Sequence, residues 1–362
     1  MKVVILHDWL TGFRGGERVL EALCEMYPQA PIYTLIHVKG STSPTIESRE
    51  IKTSFLNKIP SIHKHYRKFL PIMPLAARLL KITHDCDLVI SSSHCVIKGV
   101  KKPKNSKHIC YIHSPMRYIY DQFDNYFGTS PLPIKIAAYV CRPFLRWWDN
   151  ASNSNVDLFV ANSNFVKQRV TKYYSRESIV INPFVDLDDF KAVQKIPPKK
   201  EKFYLMVTAF APNKKVDLAI KIFNKNKLPL KIIGAGSQSE EDKLRSSANS
   251  NINFLGKLSR EEVITHYAKA KAFIFPGVED FGITPLEANA AGTGLIAYAK
   301  GGVLETQNEQ TALFFNNDIE FQRSIDNFEL PNITTLHQNA DRFSKQVFVK
   351  KIESLIQDRF IN

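Results

Sequence analysis

Two glutamates eight residues apart, Glu279 and Glu287, stand in the stretch FIFPGVEDFGITPLEANAAG and are the side chains best spaced for chemistry. Residues 272–276 are short, apolar and aromatic, which predicts a buried strand. Residues 277–283 then predict a loop. Thr284, Pro285 and Glu287 predict the N-cap, first and third residues of the next helix, a capping box with proline where it fits best. One carboxylate thus lies on the loop at the carboxyl end of a strand, and the other in the first turn of the following helix. In open α/β sheets that edge is where ligands bind. The amides of Phe281, Gly282 and Ile283 lie just before the helix start, where free donors and the helix dipole favour an anion. Phe281, Gly282, Ile283, Thr284 and Glu287 therefore form a candidate binding stretch for a diphosphate flanked by hydroxyl-bearing groups. The plainer alternatives are that Glu287 only caps its helix and that Glu279 is a solvated loop acid.

Other residues invite the same question. Gly15 and Gly16 lie in TGFRGGER, between the first predicted strand and helix. Glycines there let a ligand approach the backbone and could hold phosphate, or they make an ordinary turn. The pattern is not G-x-G-x-x-G, so it does not point to a nicotinamide cofactor. His113 follows a predicted strand at once, in YIHSPMRY. A strand-end histidine facing a cleft hydrogen-bonds a ligand hydroxyl or serves the structure alone. Arg117 fits an acceptor phosphate or a pair with Asp121. Lys214, in VTAFAPNKKVDLAI, sits between a strand and a helix. Gly234 follows a strand and approaches a nucleotide or simply turns the chain. Asp186 and Asp188 have D-x-D spacing but fall in a predicted linker, and no metal is expected there. Neither a Ser/His/Asp triad nor H-E-x-x-H is visible.

The elements that must position these residues alternate between strand and helix. Strands are predicted at 2–6, 32–35, 87–91, 107–112, 157–161 and 178–181, then at 203–208, 230–233, 252–255, 272–275, 295–298 and 312–315. Helices are predicted at 16–26, 133–150, 164–174, 216–224, 240–247, 260–268 and 285–291, with Ser163 as an N-cap and Ser259 with Glu262 as a second capping box. One or two amphipathic helices follow from 335. Alternation implies parallel sheets. The expected architecture is α/β: two Rossmann-like domains, 1–185 and 203–342, joined by a polar linker at 186–202 and facing a central cleft. A last helix at about 343–362 is expected to return to the first domain.

A chain of 362 residues fits two domains. With 44% hydrophobic and 23% charged residues it is globular rather than disordered. No apolar run approaches the ~20 residues of a spanning helix, and MKVVILHDWL reads as a first strand, not a leader. Five cysteines without C-x-x-C spacing indicate reduced thiols of a cytoplasmic protein. The net charge of +14 is uneven: residues 1–185 hold 25 basic and 13 acidic side chains, a net of +12, while 186–362 hold 24 and 22. The first half suits an anionic partner. Residues 58–81 are basic, aromatic and broken by prolines. Their charges suit an anionic membrane face, with Phe69, Leu70, Ile72 and Met73 inserting shallowly, unless those apolar groups are core. No nucleic-acid-binding motif accompanies the charge.

The stretch around Glu279 and Glu287, together with GGVLET at 301–306, resembles the nucleotide-sugar motif of retaining glycosyltransferases of family 4, which have the two-domain GT-B fold. HDWLTGFRGGERVLEAL resembles the N-terminal loop of bacterial members that build O-antigen-type polysaccharides, where the GG turn faces acceptor and donor phosphate. The resemblance covers nearly the whole chain. It implies a metal-independent hexosyltransferase without cofactor, most similar to O-antigen or capsule mannosyltransferases. GDP-mannose would be the donor and a lipid-linked or polysaccharide glycan the acceptor, at the inner face of the membrane. A UDP-sugar-dependent enzyme or a GT-B epimerase is the alternative. The resemblance further implies that Glu287 holds the ribose, Glu279 and His113 contact the donor hexose, and Lys214 grips the diphosphate. Two positions depart from the family pattern. Ala209 stands where an arginine usually shares the diphosphate with the lysine, as in the O-antigen subgroup, and Gly294 stands where proline is common.

Overall fold

The computed structural model of the chain describes residues 1–128 and 130–361, with side chains through Phe360. The chain divides into two compact units. The first is Met1–Asn182 with the chain from Val349 onward, and the second is Pro183–Phe348. Each is a parallel α/β layer structure, as the alternation predicts.

In the first unit the strands are β1 (Val3–His7), β2 (Ile32–Thr34), β3 (Ile51–Thr53), β4 (Leu88–Ser93), β5 (Lys107–Ile112), β6 (Leu158–Ala161) and β7 (Ser178–Val180), in the order β3-β2-β1-β4-β5-β6-β7. Central β1 pairs in parallel on both sides, Ile5 lying opposite Ile32 and Ile90. Its residues are buried throughout, because helices cover both faces of a parallel sheet and leave no solvent side for polar alternation. The principal helices are α1 (Gly15–Met26), α2 (Met73–Leu79), α3 (Leu132–Ala151) and α4 (Asn164–Tyr174). Ser163 caps α4, its hydroxyl accepting from the Val166 amide at 3.0 Å.

The second unit has β8 (Tyr204–Val207), β9 (Leu230–Ile233), β10 (Ile252–Gly256), β11 (Ala272–Phe275), β12 (Leu295–Tyr298) and β13 (Ala312–Phe315), ordered β10-β9-β8-β11-β12-β13. Around them lie α5 (Val216–Asn226), α6 (Arg260–Lys269) and α7 (Ile283–Ala290). The predicted capping box of Ser259 and Glu262 opens α6. Helix α8 (Lys345–Ile356) begins within this unit and ends in the first.

Three details differ from expectation. The edge strand β3 was not expected, since Ile51–Thr53 has a single apolar side chain and no apolar run to mark it. The segment 186–202 is no free linker. It belongs to the second unit, and Val185 and Phe190 are buried in that unit's core. Within 58–81, Met73 is core rather than surface, and Phe69 and Leu70 pack against that core, while Ile72 is exposed. The prolines split this segment into short turns, each of which buries one face and exposes its charges.

Candidate functional site

In the second unit the site is built where β8 and β11 end. The loop after β11 is tied on both sides. Val278 donates to the carbonyl of Asn213 at 3.0 Å, and Asn213 Nδ2 donates back to Val278 at 3.3 Å. This clamps the loop to the 3₁₀ turn Pro212–Lys214 that follows β8. On the other side Gly302 donates to the Glu279 carbonyl at 2.9 Å. A β-carbon on Gly302 would lie 2.4 Å from the Asp280 carbonyl oxygen, so only glycine allows this approach. The two tethers bring the Lys214 ammonium onto the Glu279 carboxylate as an ion pair, with each side chain 19% exposed.

Helix α7 starts at Ile283, not Pro285, with Gly282 as N-cap at φ +92°. The predicted capping box of Thr284 and Glu287 is therefore not formed. The left-handed conformation open to glycine lets the helix begin earlier, and Thr284 becomes its second residue. Its Oγ1 is buried without a hydrogen-bond partner among the described residues. The amides of Phe281, Gly282 and Ile283 lie at the positive end of α7, and the Phe281 ring is buried against Phe343.

Glu287, neither cap nor solvated acid, is a buried carboxylate held from α6. Arg260 Nη1 donates to Oε1 at 2.6 Å and the Tyr267 hydroxyl donates to Oε2 at 3.2 Å. Arg260 is itself fixed by Asp189 at 2.8 Å and lies over the Phe190 ring. Sequence reasoning missed Arg260, Tyr267 and Asp189. The signal for Arg260 was its place as first residue after the Ser259 cap; Asp189 was hidden in the supposed linker. Gly234 has a packing reason: at φ +147° a β-carbon would sit 1.7 Å from the Thr208 carbonyl oxygen, where β8 and β9 end side by side. Ala209 is exposed in the loop after β8.

In the first unit, three histidines gather at the carboxyl ends of neighbouring strands: His7 ends β1, His94 follows β4 and His113 follows β5. The Ser92 hydroxyl bridges His7 Nδ1 at 3.2 Å and His113 Nε2 at 2.8 Å. His7 Nε2 lies 3.6 Å from Glu17 of α1. Gly15 and Gly16 are the first residues of α1, and a β-carbon on Gly16 would touch His113 at 3.7 Å. Gly16 thus borders His7 and His113 directly. Buried Asp8 accepts from the amides of His94, Cys95 and Ile97 at 2.7, 2.9 and 2.8 Å, which fixes the turn after β4.

Burial pushes His113 down to about 3, with neighbouring His94, His7 and Arg117 adding to the effect. Burial also lowers His94, against the pull of Asp8. Burial alone would raise the Glu17 carboxyl, but the His7 imidazole 3.6 Å away outweighs burial and holds Glu17 below the usual range. His113 is therefore a neutral imidazole at pH 7, able to donate or accept a hydrogen bond without bringing a charge. His7, Asp8 and His94 were not singled out from sequence; HDW directly after the first apolar run was the available signal. Asp121, which the sequence offers as one partner for Arg117, accepts from Arg169 of α4 at 2.6 Å. Asp188 pairs with Lys191 at 2.7 Å. Among the described residues no group of three or more His, Cys, Asp or Glu is arranged to hold a metal ion.

Residues 13–189 match the family described as Glycosyltransferase Family 4, and residues 188–347 the family described as Glycosyl transferases group 1. The chain belongs to these GT-B glycosyltransferase families. It is 29% identical over 208 residues to the alpha-1,3/1,6-mannosyltransferase ALG2 of Saccharomyces cerevisiae, covering 43% of this chain and 41% of that protein. The chain thus spans about two fifths of the length of the yeast relative. It is 25% identical over 248 residues to the O-antigen chain mannosyltransferase RfbU of Salmonella typhimurium, covering 65% of this chain and 69% of that one. Its fold is similar to that of sucrose-phosphate synthase from Thermosynechococcus elongatus, with TM-score 0.72 at 16% identity over 100% of both chains.

Proposed function

We propose that this glycosyltransferase moves mannose from GDP-mannose, with retention, onto a hydroxyl of a lipid-linked or polysaccharide glycan, giving an α-linkage. The observation that carries the reading is the Lys214–Glu279 pair held at the positive end of α7. The mannosyl donor is favoured by the two relatives named as mannosyltransferases. In this reading the diphosphate takes the Lys214 ammonium and the amides of Phe281, Gly282 and Ile283. Glu279, released from the ion pair, then accepts from sugar hydroxyls. Glu287, oriented by Arg260, accepts from ribose hydroxyls. In the first unit the neutral imidazole of His113 is available to a sugar hydroxyl.

In the reaction the bond from the anomeric carbon to the diphosphate oxygen breaks as the acceptor oxygen bonds to that carbon from the same face. The acceptor proton passes to the departing phosphate oxygen. Positive charge develops on the sugar and negative charge on the leaving group, so fixed charge around the diphosphate supplies most of the acceleration. Lysine, amides and helix dipole supply that charge here, and no metal is invoked. The acceptor is read as lipid-borne at the inner membrane face.

Thermal unfolding with GDP-mannose, UDP-glucose and ADP-glucose tests the donor. A ligand at a hundred times its Kd stabilises by ~2.7 kcal/mol. A shift with GDP-mannose alone is expected. A shift with only a UDP-sugar would replace the donor, and none with any would overturn the nucleotide-sugar reading. Incubation with donor alone separates transfer from epimerisation, which would release an isomeric nucleotide sugar.

A further inference from the structure

Helix α3 is 20 residues long, about 30 Å, yet only Leu145 and Asp149 of it are buried. One edge rests on the first unit. Asp149 meets Lys98 at 2.8 Å with both side chains fully buried, and accepts from the Tyr120 hydroxyl at 3.0 Å. Arg142 and Arg146 donate to the carbonyl of Ile119 from the same edge at 2.9 and 2.6 Å. The opposite edge is apolar. Leu132, Ile136, Val140 and Trp147 recur at helical spacing and face away from Leu145. Their exposures are 69%, 54%, 72% and 65%, and Phe144 beside them is 48% exposed. An unbroken apolar stripe of this length is not ordinary surface.

Charge decides what covers it. From Leu132 to Trp148 the helix holds no acid; Lys135 adds a cation, Arg142 and Arg146 are held on the protein-facing edge, and residues 1–185 carry a net +12. A second copy of the chain would set one acid-free stripe, carried on a half with net positive charge, against another. An anionic bilayer surface answers both the charge and the apolar stripe. Nor is the stripe alone: α2 exposes Leu75 and Leu79 and packs on the 3₁₀ turn Ile97–Gly99. Gly99 of that turn abuts the Trp148 ring of α3, where a β-carbon would lie 2.5 Å away.

We propose that α3 is a docking face for anionic lipid, lying in the plane of the interface with its apolar edge among the headgroups and upper acyl chains. No described helix is long and apolar enough to cross a membrane, and a basic amphipathic helix lies on one instead. This deepens the reading of a lipid-borne acceptor, but it is tested without any sugar transfer.

The test uses the full chain with phosphatidylcholine vesicles made with and without phosphatidylserine. Co-sedimentation is expected only with phosphatidylserine, weakening as salt rises. The double variant Val140→Glu/Trp147→Glu should bind on the order of tenfold more weakly, or less still. Both side chains lie mostly in solvent, so its circular dichroism and its thermal shift with donor should match the wild type. Trp147→Phe should still bind while losing a blue shift of fluorescence on vesicle addition. Equal binding by wild type and double variant would overturn the proposal, as would no binding by either. A concentration-dependent dimer abolished by the same double variant would overturn it in favour of a second copy.

Discussion

Among the described residues Lys214 is the ammonium that pairs with Glu279, and Ala209 stands where the family resemblance would place a second cation. A charge contact near 4 Å at an effective dielectric of 20 is worth ~4 kcal/mol, or roughly a thousandfold in rate if felt only in the transition state. Lys214→Ala is therefore expected to cut turnover by that order while leaving the melting temperature within a few degrees of wild type. Steady-state kinetics beside a melting curve measures both, and near-normal turnover would remove Lys214 from the mechanism. The two glutamates should separate on both scales. Glu279→Gln should lower kcat, because its contact changes as charge develops. Glu287→Gln should raise the donor KM. It should also cost about 2 kcal/mol of stability, since it removes the charge from a buried, charge-assisted bond to Arg260. A Glu287→Gln protein with unchanged melting would show that Arg260 does not depend on this carboxylate.

At the scale of elements, β5 is bracketed by two histidines with different duties. His113, just past its end, belongs to the candidate site. His108, near its start, is fully buried between Asn155 and Ser91, with hydrogen bonds of 2.9 and 2.8 Å. Burial pushes His108 down to about 4, whereas an unfolded histidine titrates near 6.5. As pH falls below ~6.5 the unfolded chain takes up a proton that the native chain refuses. Stability is then lost between ~6.5 and about 4 and levels off below. From pH 7.5 to 5 this one residue should cost about 2 kcal/mol. Urea unfolding at the two pH values should show a smaller difference in His108→Gln than in wild type; an unchanged difference would assign the acid sensitivity elsewhere.

The same scale shows what was legible in the sequence. Strands β11 and β12 fall where their apolar runs lie between polar, proline or glycine residues, because a strand buried on both faces is apolar throughout. Glu279, Lys214 and His113 could be singled out because each lies in the chain that leaves the carboxyl end of a strand. The start of α7 was not. Thr284, Pro285 and Glu287 satisfy a local rule, but the backbone freedom of Gly282 and the pull of Arg260, 27 residues earlier in the chain, decide the outcome. Tertiary pairing of that kind leaves no local pattern.

For the whole molecule, charge and chemistry divide unevenly. The half with a net +12 carries the histidine cluster and the apolar edge of α3, while the nearly neutral half carries Lys214, Glu279 and Glu287. The chain passes from one unit to the other after Asn182 and again after Phe348. The intervening residues 183–202 are structural members of the second unit, although their composition reads as a tether. This matters for anyone dissecting the gene. A fragment begun at Phe203, where the composition invites a cut, would lack Phe190, whose loss from a core costs about 3–5 kcal/mol. It would also lack Asp189, the outer brace of Arg260. Such a fragment should melt lower than one begun at Pro183 and respond more weakly to donor in the same thermal assay. A boundary drawn from amino-acid composition would cut through the support of the very carboxylate that the fragment was made to study.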